Sequence, residues 1–199
     1  MILADGYIDV PPGKLAAIVT HLQMMAPAPP RPGPPRPDLR VRQVERPEVD
    51  WYRALYRRVG EPWLWESRLK LAPAALAEIV RHPRVEIFSL MHDGADKGLL
   101  ELDFRIPGHC ELAFFGVALD LVGSGAGRLL MNHAIARAWS RPIARFWVHT
   151  CTNDHPGALA FYIRSGFQPF RRQIEITDES RLDPASPAGI APHVPIVRG

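Results

Sequence analysis

"LDLVGSGAGRLLM", residues 119–131, decides how the rest of the chain is read. Gly123, Gly125 and Gly127 fall at alternate positions, and Arg128 and a run of helix formers follow at once. Glycine costs roughly 0.5–1 kcal/mol against alanine inside a regular element. Three of them just ahead of a helix imply that bare backbone is needed there. A Walker A loop would put lysine and then serine or threonine after the last glycine, but Arg128 and Leu129 stand there. A dinucleotide fingerprint would put its third glycine where Arg128 is, and no acidic residue ends the next strand. An anion nest needs only successive N–H groups and a helix N-terminus, to which Arg128 adds a positive charge. A pyrophosphate suits such a site, and a glycine-rich turn that merely packs tightly is the plain alternative.

Outward from the loop, the pattern on the N-terminal side is antiparallel. "LRVRQVE" (39–45) alternates as a strand, and "EVDWYRALYRRVG" (48–60) reads as a helix with Pro47 at its start and Gly60 at its end. "WLWESRLKL" (63–71) continues that helical region past Pro62, and "APAALAEIVRH" (72–82) is a second helix stopped by Pro83. Strands follow at 84–93 and 97–106 around the turn "DGADKG", then at 109–118. After the loop come a helix at about 127–139, a strand at 144–152, a helix at 155–166 and a strand at 167–176. An antiparallel meander passing into β-α-β-α-β predicts an α/β fold with a mixed sheet covered by helices.

At the ends, "GKLAAIVTHLQMM" (13–25) has the spacing of a short helix that packs on the main body. "APAPPRPGPPRP" (26–37) is dense enough in proline to be an extended spacer. The chain thus divides into an appendage at 1–25, a spacer at 26–37, a main domain at 38–178 and a proline-containing tail at 179–199. A composition of 47% hydrophobic and 23% charged residues is that of a soluble globular protein. No apolar run is long enough to span a membrane. The start lacks the basic n-region of a secretory signal, and two cysteines make no disulfide framework, so a cytoplasmic setting is expected. The net charge of +3 comes from scattered arginines rather than a basic stripe, so neither a nucleic-acid nor a membrane partner is expected.

"FFGVALDLVGSGAGRLL" followed, past another strand, by "NDHPGALAFYIRSGF" resembles the GCN5-related N-acetyltransferase (GNAT) superfamily over roughly residues 38–176. The resemblance implies that superfamily's acyl-coenzyme A N-acyltransferase fold, with acetyl-coenzyme A as co-substrate and no metal. It places the pyrophosphate on Gly123, Ser124, Gly125, Ala126, Gly127 and Arg128. Val122 stands where the family has glutamine or arginine, leaving more of the binding to backbone amides and Arg128. Phe115 and Val117 would offer backbone groups to the thioester arm, with Gly116 marking a bulge between them, or only a tight helix crossing. Asn153 matches the residue that bonds the pantetheine amide, and Tyr162 the acid that protonates the leaving thiolate.

The base is open among Glu111, Glu101 and water, with Glu111 favoured by its apolar neighbours and by analogy to members resembling histone acetyltransferases. Trp51, Tyr52, Tyr56, Trp63 and Trp65 fall where the family covers its acceptor. "HTCTNDH" (149–155) carries histidine, cysteine and aspartate, but no second cluster completes a metal site. The implied activity is acetyl transfer to the primary amine of a small molecule or peptide by direct attack. A turnover-deficient coenzyme-binding or interaction protein of the same fold is the alternative, and a homodimer is left open.

Overall fold

The computed structural model describes residues 5–178 together with Ala191, His193 and Val194. The tail expected from residue 179 otherwise lies outside the described residues. In chain order the elements are β1 (Lys14–Met24), β2 (Leu39–Gln43), α1 (Val49–Gly60), α2 (Pro73–Val80), β3 (Val85–His92), β4 (Ala95–Asp103), β5 (His109–Val117), α3 (Ala126–Trp139), β6 (Arg145–Cys151), α4 (Ala158–Arg164) and β7 (Gln168–Asp178). The strands form one sheet in the order β2-β3-β4-β5-β6-β1-β7. Only β5 and β6 pair in parallel, and the other neighbours are antiparallel.

Each face of the sheet is closed by helices whose apolar stripe the sequence dictates. On one side α3 buries Leu130, Met131, Ala134 and Ala138 against Leu22, Leu100, Leu112 and Phe146. On the other, Tyr52, Leu55, Tyr56 and Val59 of α1 and Leu76 and Val80 of α2 cover Val85, Ile87 and Leu99. Each fully buried valine, leucine, isoleucine, phenylalanine or methionine among them contributes about 1.5–3 kcal/mol. The C-terminal end of α3 is fixed to β3 by the buried Glu86, which accepts from Arg137 Nε at 2.7 Å and also from Arg141.

The helix expected at 13–25 is a strand. β1 lies between β6 and β7 and pairs with both. Its buried positions are 15, 17 and 19, then 20, 22 and 24, so the alternation changes phase in mid-strand. A pairing irregularity against β7 falls between His21 and Leu22, close to that change. The shift leaves Leu15, Val19 and Leu22 at helical spacing and hides the period of two. The β-branched run Ile18, Val19 and Thr20 is the signal that favours a strand.

The stretch 63–71 also departs from the expected helix. A single 3-10 turn, Glu61–Trp63, ends at Leu64, whose φ of 57° is left-handed. Trp65 then folds back beneath Gly60, where a Cβ would lie 2.4 Å from its ring.

β1 and β2 are five positions apart in the sheet, about 24 Å at ~4.8 Å per strand. Residues 25–38 make that crossing without helix or strand. At about 3.1 Å per residue an extended proline-rich chain of this length reaches roughly 40 Å, enough to pass over α3. The segment is tied to α3 as it passes: Arg31 N donates to Asn132 Oδ1 at 3.0 Å, and Asn132 Nδ2 donates to Arg31 O at 2.9 Å.

Candidate functional site

The parallel ladder of β5 and β6 runs only from His109↔Arg145 to Glu111↔Trp147. Past Glu111 the two strands separate, which leaves the facing backbone edge of β5 without a strand partner. A cleft of about 1120 Å³ opens at this divergence. Phe115, Val117, Gly123, Gly125, Gly127, Arg128, Asn153, Tyr162 and Glu111 all line it. Ser124 and Ala126 do not. Ala126 is fully buried against the sheet, and the Ser124 hydroxyl turns back to donate to Leu121 O at 2.7 Å.

The glycine loop forms the wall at one end. Gly123 and Gly125 have φ of 80° and 91°, a region that L-residues with side chains rarely occupy, and a Cβ at either would point into open space. Gly125 immediately precedes α3 and carries no capping side chain. The Ala126 N–H reaches Ser124 Oγ at 3.4 Å, but those of Gly127 and Arg128 and the positive end of the helix dipole are available to an anion. Arg128 Nη1 donates to Pro32 O at 2.8 Å, so the guanidinium is braced by the crossing segment.

The bulge expected at Gly116 falls instead at Ala113. Glu101 faces Phe114 and Leu102 faces Leu112, so Ala113 is the extra residue. Gly116 is required for a different reason: a Cβ there would lie 2.6 Å from Val59 Cγ1. It lets α1 cross close above β5, which is the tight-crossing alternative.

Tyr162 and Asn153 sit on the β6 side. Tyr162 is buried, and burial, with the nearby Asp154 charge second, pushes its phenol well above the ordinary range. The phenol is therefore protonated at neutral pH. Asn153 is 3% exposed, and its Nδ2 is buried with no hydrogen-bond partner among the described residues. Its backbone carbonyl accepts from His193 Nε2 at 2.8 Å.

Among the acids, Glu111 is half-buried at the point where the ladder ends. Its pKa is raised to about 7, first by burial and then by the Asp103 and Glu101 charges. The nearest basic side chain is His149, with Nδ1 3.8 Å from Glu111 Oε1. Glu101 is fully buried outside the cleft lining, and Tyr52 Oη and Arg68 donate to its carboxylate. Its carboxylate is thus committed to Tyr52 and Arg68, while that of Glu111 faces the cleft. Arg105 is held by Asp103 through Nε at 2.8 Å and so leaves Glu111 without a guanidinium of its own.

The aromatic cluster divides. Tyr56, Trp63 and Trp65 line the cleft, while Tyr52 lies in the core and Trp51 Nε1 donates to Asp96 at 2.8 Å away from it. Trp65 Nε1 reaches Asp154 Oδ1 at 3.2 Å and ties the 63–68 loop to the end of β6.

Val19, His21, Arg31 and Trp147 also line the cleft and escaped the sequence reading. Val19 and His21 come from β1, whose strand phase was hidden, and Arg31 from the proline-rich crossing. Among the described residues no group of three or more histidines, cysteines or acids is placed to hold a metal ion, and no helix is long and apolar enough to cross a membrane.

Comparison with known proteins matches residues 47–167 to a family model described as the acetyltransferase (GNAT) family. No curated protein matches the sequence. Among solved structures, the chain is similar to a functionally unknown conserved protein from Staphylococcus epidermidis, at 13% identity and a TM-score of 0.60, covering 84% of this chain and 63% of that one. It is similar to a GCN5-related N-acetyltransferase from Sphaerobacter thermophilus at 14% identity and a TM-score of 0.59, covering 93% and 54%. A GCN5-related N-acetyltransferase from Kribbella flavida aligns at 16% identity and a TM-score of 0.54, covering 83% and 60%. The chain thus spans between 54% and 63% of the length of these three proteins.

Proposed function

The chain belongs to the acetyltransferase (GNAT) family, and from that premise we propose that it transfers acetyl from acetyl-coenzyme A to a primary amine by direct attack. The observation that carries this reading is the cleft at the β5–β6 divergence, with an open glycine cradle at one end and a carboxylate of raised pKa within it. Two features fit the coenzyme in particular. The space that a Cβ at Gly123 or Gly125 would enter is empty, and the orphaned Asn153 Nδ2 is a buried donor in want of a carbonyl.

Acetyl-coenzyme A, when bound, supplies an acyl group activated as a thioester. The chain's own groups divide the remaining work. Gly123, Gly125, Gly127 and Arg128 bind phosphate through N–H groups, the helix dipole and one guanidinium. The free edge of β5 at Phe115 and Val117, with Asn153 opposite, orients an amide-bearing arm between the strands. Glu111 takes a proton from the incoming ammonium group, for which a pKa near 7 is well matched. Tyr162, which also lines the cleft, holds a proton and serves as the acid. Trp63, Trp65 and Tyr56 give the acceptor end a largely aromatic wall suited to an amine-bearing small molecule or peptide. The unbridged thiols Cys110 and Cys151 support a reducing, cytoplasmic setting.

The test is calorimetric titration of acetyl-coenzyme A. Wild type is expected to bind at micromolar concentration, and Gly125→Val to bind at least 100-fold more weakly with an unchanged far-UV spectrum. A β-branched residue is strained at φ 91°, and its side chain would occupy the phosphate cradle. No binding by wild type would overturn the reading and leave the turnover-deficient interaction protein in its place. Tyr162→Phe is expected to lower kcat about 100-fold while KM for acetyl-coenzyme A stays within threefold. Unchanged kcat would remove Tyr162 from the role of acid.

A further inference from the structure

Val122 poses a problem that the glycine loop alone does not solve. It is 41% exposed at the mouth of the cradle and presents only methyl groups where a doubly charged pyrophosphate would lie. We propose that the missing cation is Arg31, delivered from outside the family-matched region by the proline-rich segment, and that this segment is therefore part of the coenzyme site. The inference rests on the coenzyme reading above.

Four observations carry it. Arg31 lines the same cleft as Gly123, Gly125, Gly127 and Arg128. Its main chain is fixed on both sides by one side chain, because Asn132 on the second turn of α3 accepts from its N–H and donates to its carbonyl. Pro30 and Pro32 flank it and restrict the backbone further. The next residues continue the clamp, since Pro32 O accepts from Arg128 and Ser124 O accepts from Arg36.

Among the described residues nothing uses the side chain so carefully positioned. Arg36, Arg42, Arg68, Arg105 and Arg137 each bond a carboxylate. The Arg31 guanidinium makes no hydrogen bond or ion pair among the described residues. Asp38, later in the same segment, is already paired with Arg36. A half-buried arginine with a preset base and no counter-ion among the described residues is suited to bidentate bonding of phosphate oxygens, which a lysine at the same place would bond only as a point charge.

Calorimetry on the full chain separates the outcomes, with coenzyme A and dephospho-coenzyme A as the two probes. Arg31→Gln is expected to raise the Kd for both by about 10- to 100-fold and by the same factor. Arg31→Lys is expected to recover part of the loss, and the thermal midpoint of both variants is expected to equal that of wild type. An Arg31→Gln Kd within twofold of wild type would overturn the proposal. So would a loss confined to coenzyme A, which would move the guanidinium to the 3′-phosphate. Failure of wild type to bind either probe is a different result, because it removes the coenzyme reading itself and the role of Arg31 with it.

Discussion

Glu111→Gln is expected to lower kcat/KM by about 10²- to 10³-fold and to abolish the acid limb of its pH profile. In wild type that limb should rise through about pH 7, because the base works only when ionised and its pKa stands at about 7. The cause is first the burial of the carboxyl, then the Asp103 and Glu101 charges, against which Arg68 and Arg105 act more weakly. The same substitution should alter stability in the opposite sense.

A carboxyl whose folded pKa exceeds its unfolded value is favoured in the fold while protonated. Its contribution is full below about pH 4.5 and is lost as pH rises through about 7. Glutamine has the shape of the protonated acid and never ionises. Thermal midpoints of wild type and variant should therefore coincide near pH 4.5 and diverge towards pH 8, with the variant the more stable. A group kept for catalysis at a cost to stability gives this pattern, whereas a carboxylate in a stabilising ion pair gives the reverse. A kcat/KM within threefold of wild type, with the limb near pH 7 intact, would assign the proton to water instead.

The mixed sheet and the cleft were legible from residue 38 onward because each signal there was local. Three glycines before a helix, and Pro83 and Gly166 as stops, each state their own conformation. Gly116 shows the limit of such signals. Its sequence context says that backbone must come close to something, but only the fold says that the partner is Val59 of α1 rather than a bulge. Glu101 and Glu111 differ for a similar reason. Both are acids on one face of adjacent strands, since Glu111 pairs with Asp103, two residues from Glu101; what differs is that Tyr52 and Arg68 cover one while the other lies at the cleft. The largest miss was β1, where a change of phase between Val19 and Thr20 converted strand alternation into helical spacing. No local pattern could show that the first strand of the chain is the sixth of the sheet, because its partners lie more than a hundred residues away.

That placement yields the second large effect. Removing residues 1–37, which leaves the whole of the family-matched region, is expected to abolish cooperative unfolding, whereas removing residues 1–12 should move the thermal midpoint by only a few degrees. β1 is the hydrogen-bonding neighbour of both β6 and β7 along most of its length. Without it β7, already an exposed edge strand, has no partner in the sheet, and β6 loses the pairing that holds its far edge. Leu15, Leu22 and Met24 are each at most 3% exposed. At about 1.5–3 kcal/mol apiece, they account for a large fraction of the 5–15 kcal/mol that a domain of this kind has in all. The described residues before Gly13 are exposed and lie outside any helix or strand, so their loss removes no buried side chain. Far-UV circular dichroism with thermal melting checks both truncations, and a peptide of residues 13–37 added in trans should restore the melt of the longer one. A cooperative transition in the 38–199 fragment at the wild-type midpoint would mean that the sheet closes without β1, and with it would fall the claim that the N-terminal strand and its proline crossing are integral to the fold.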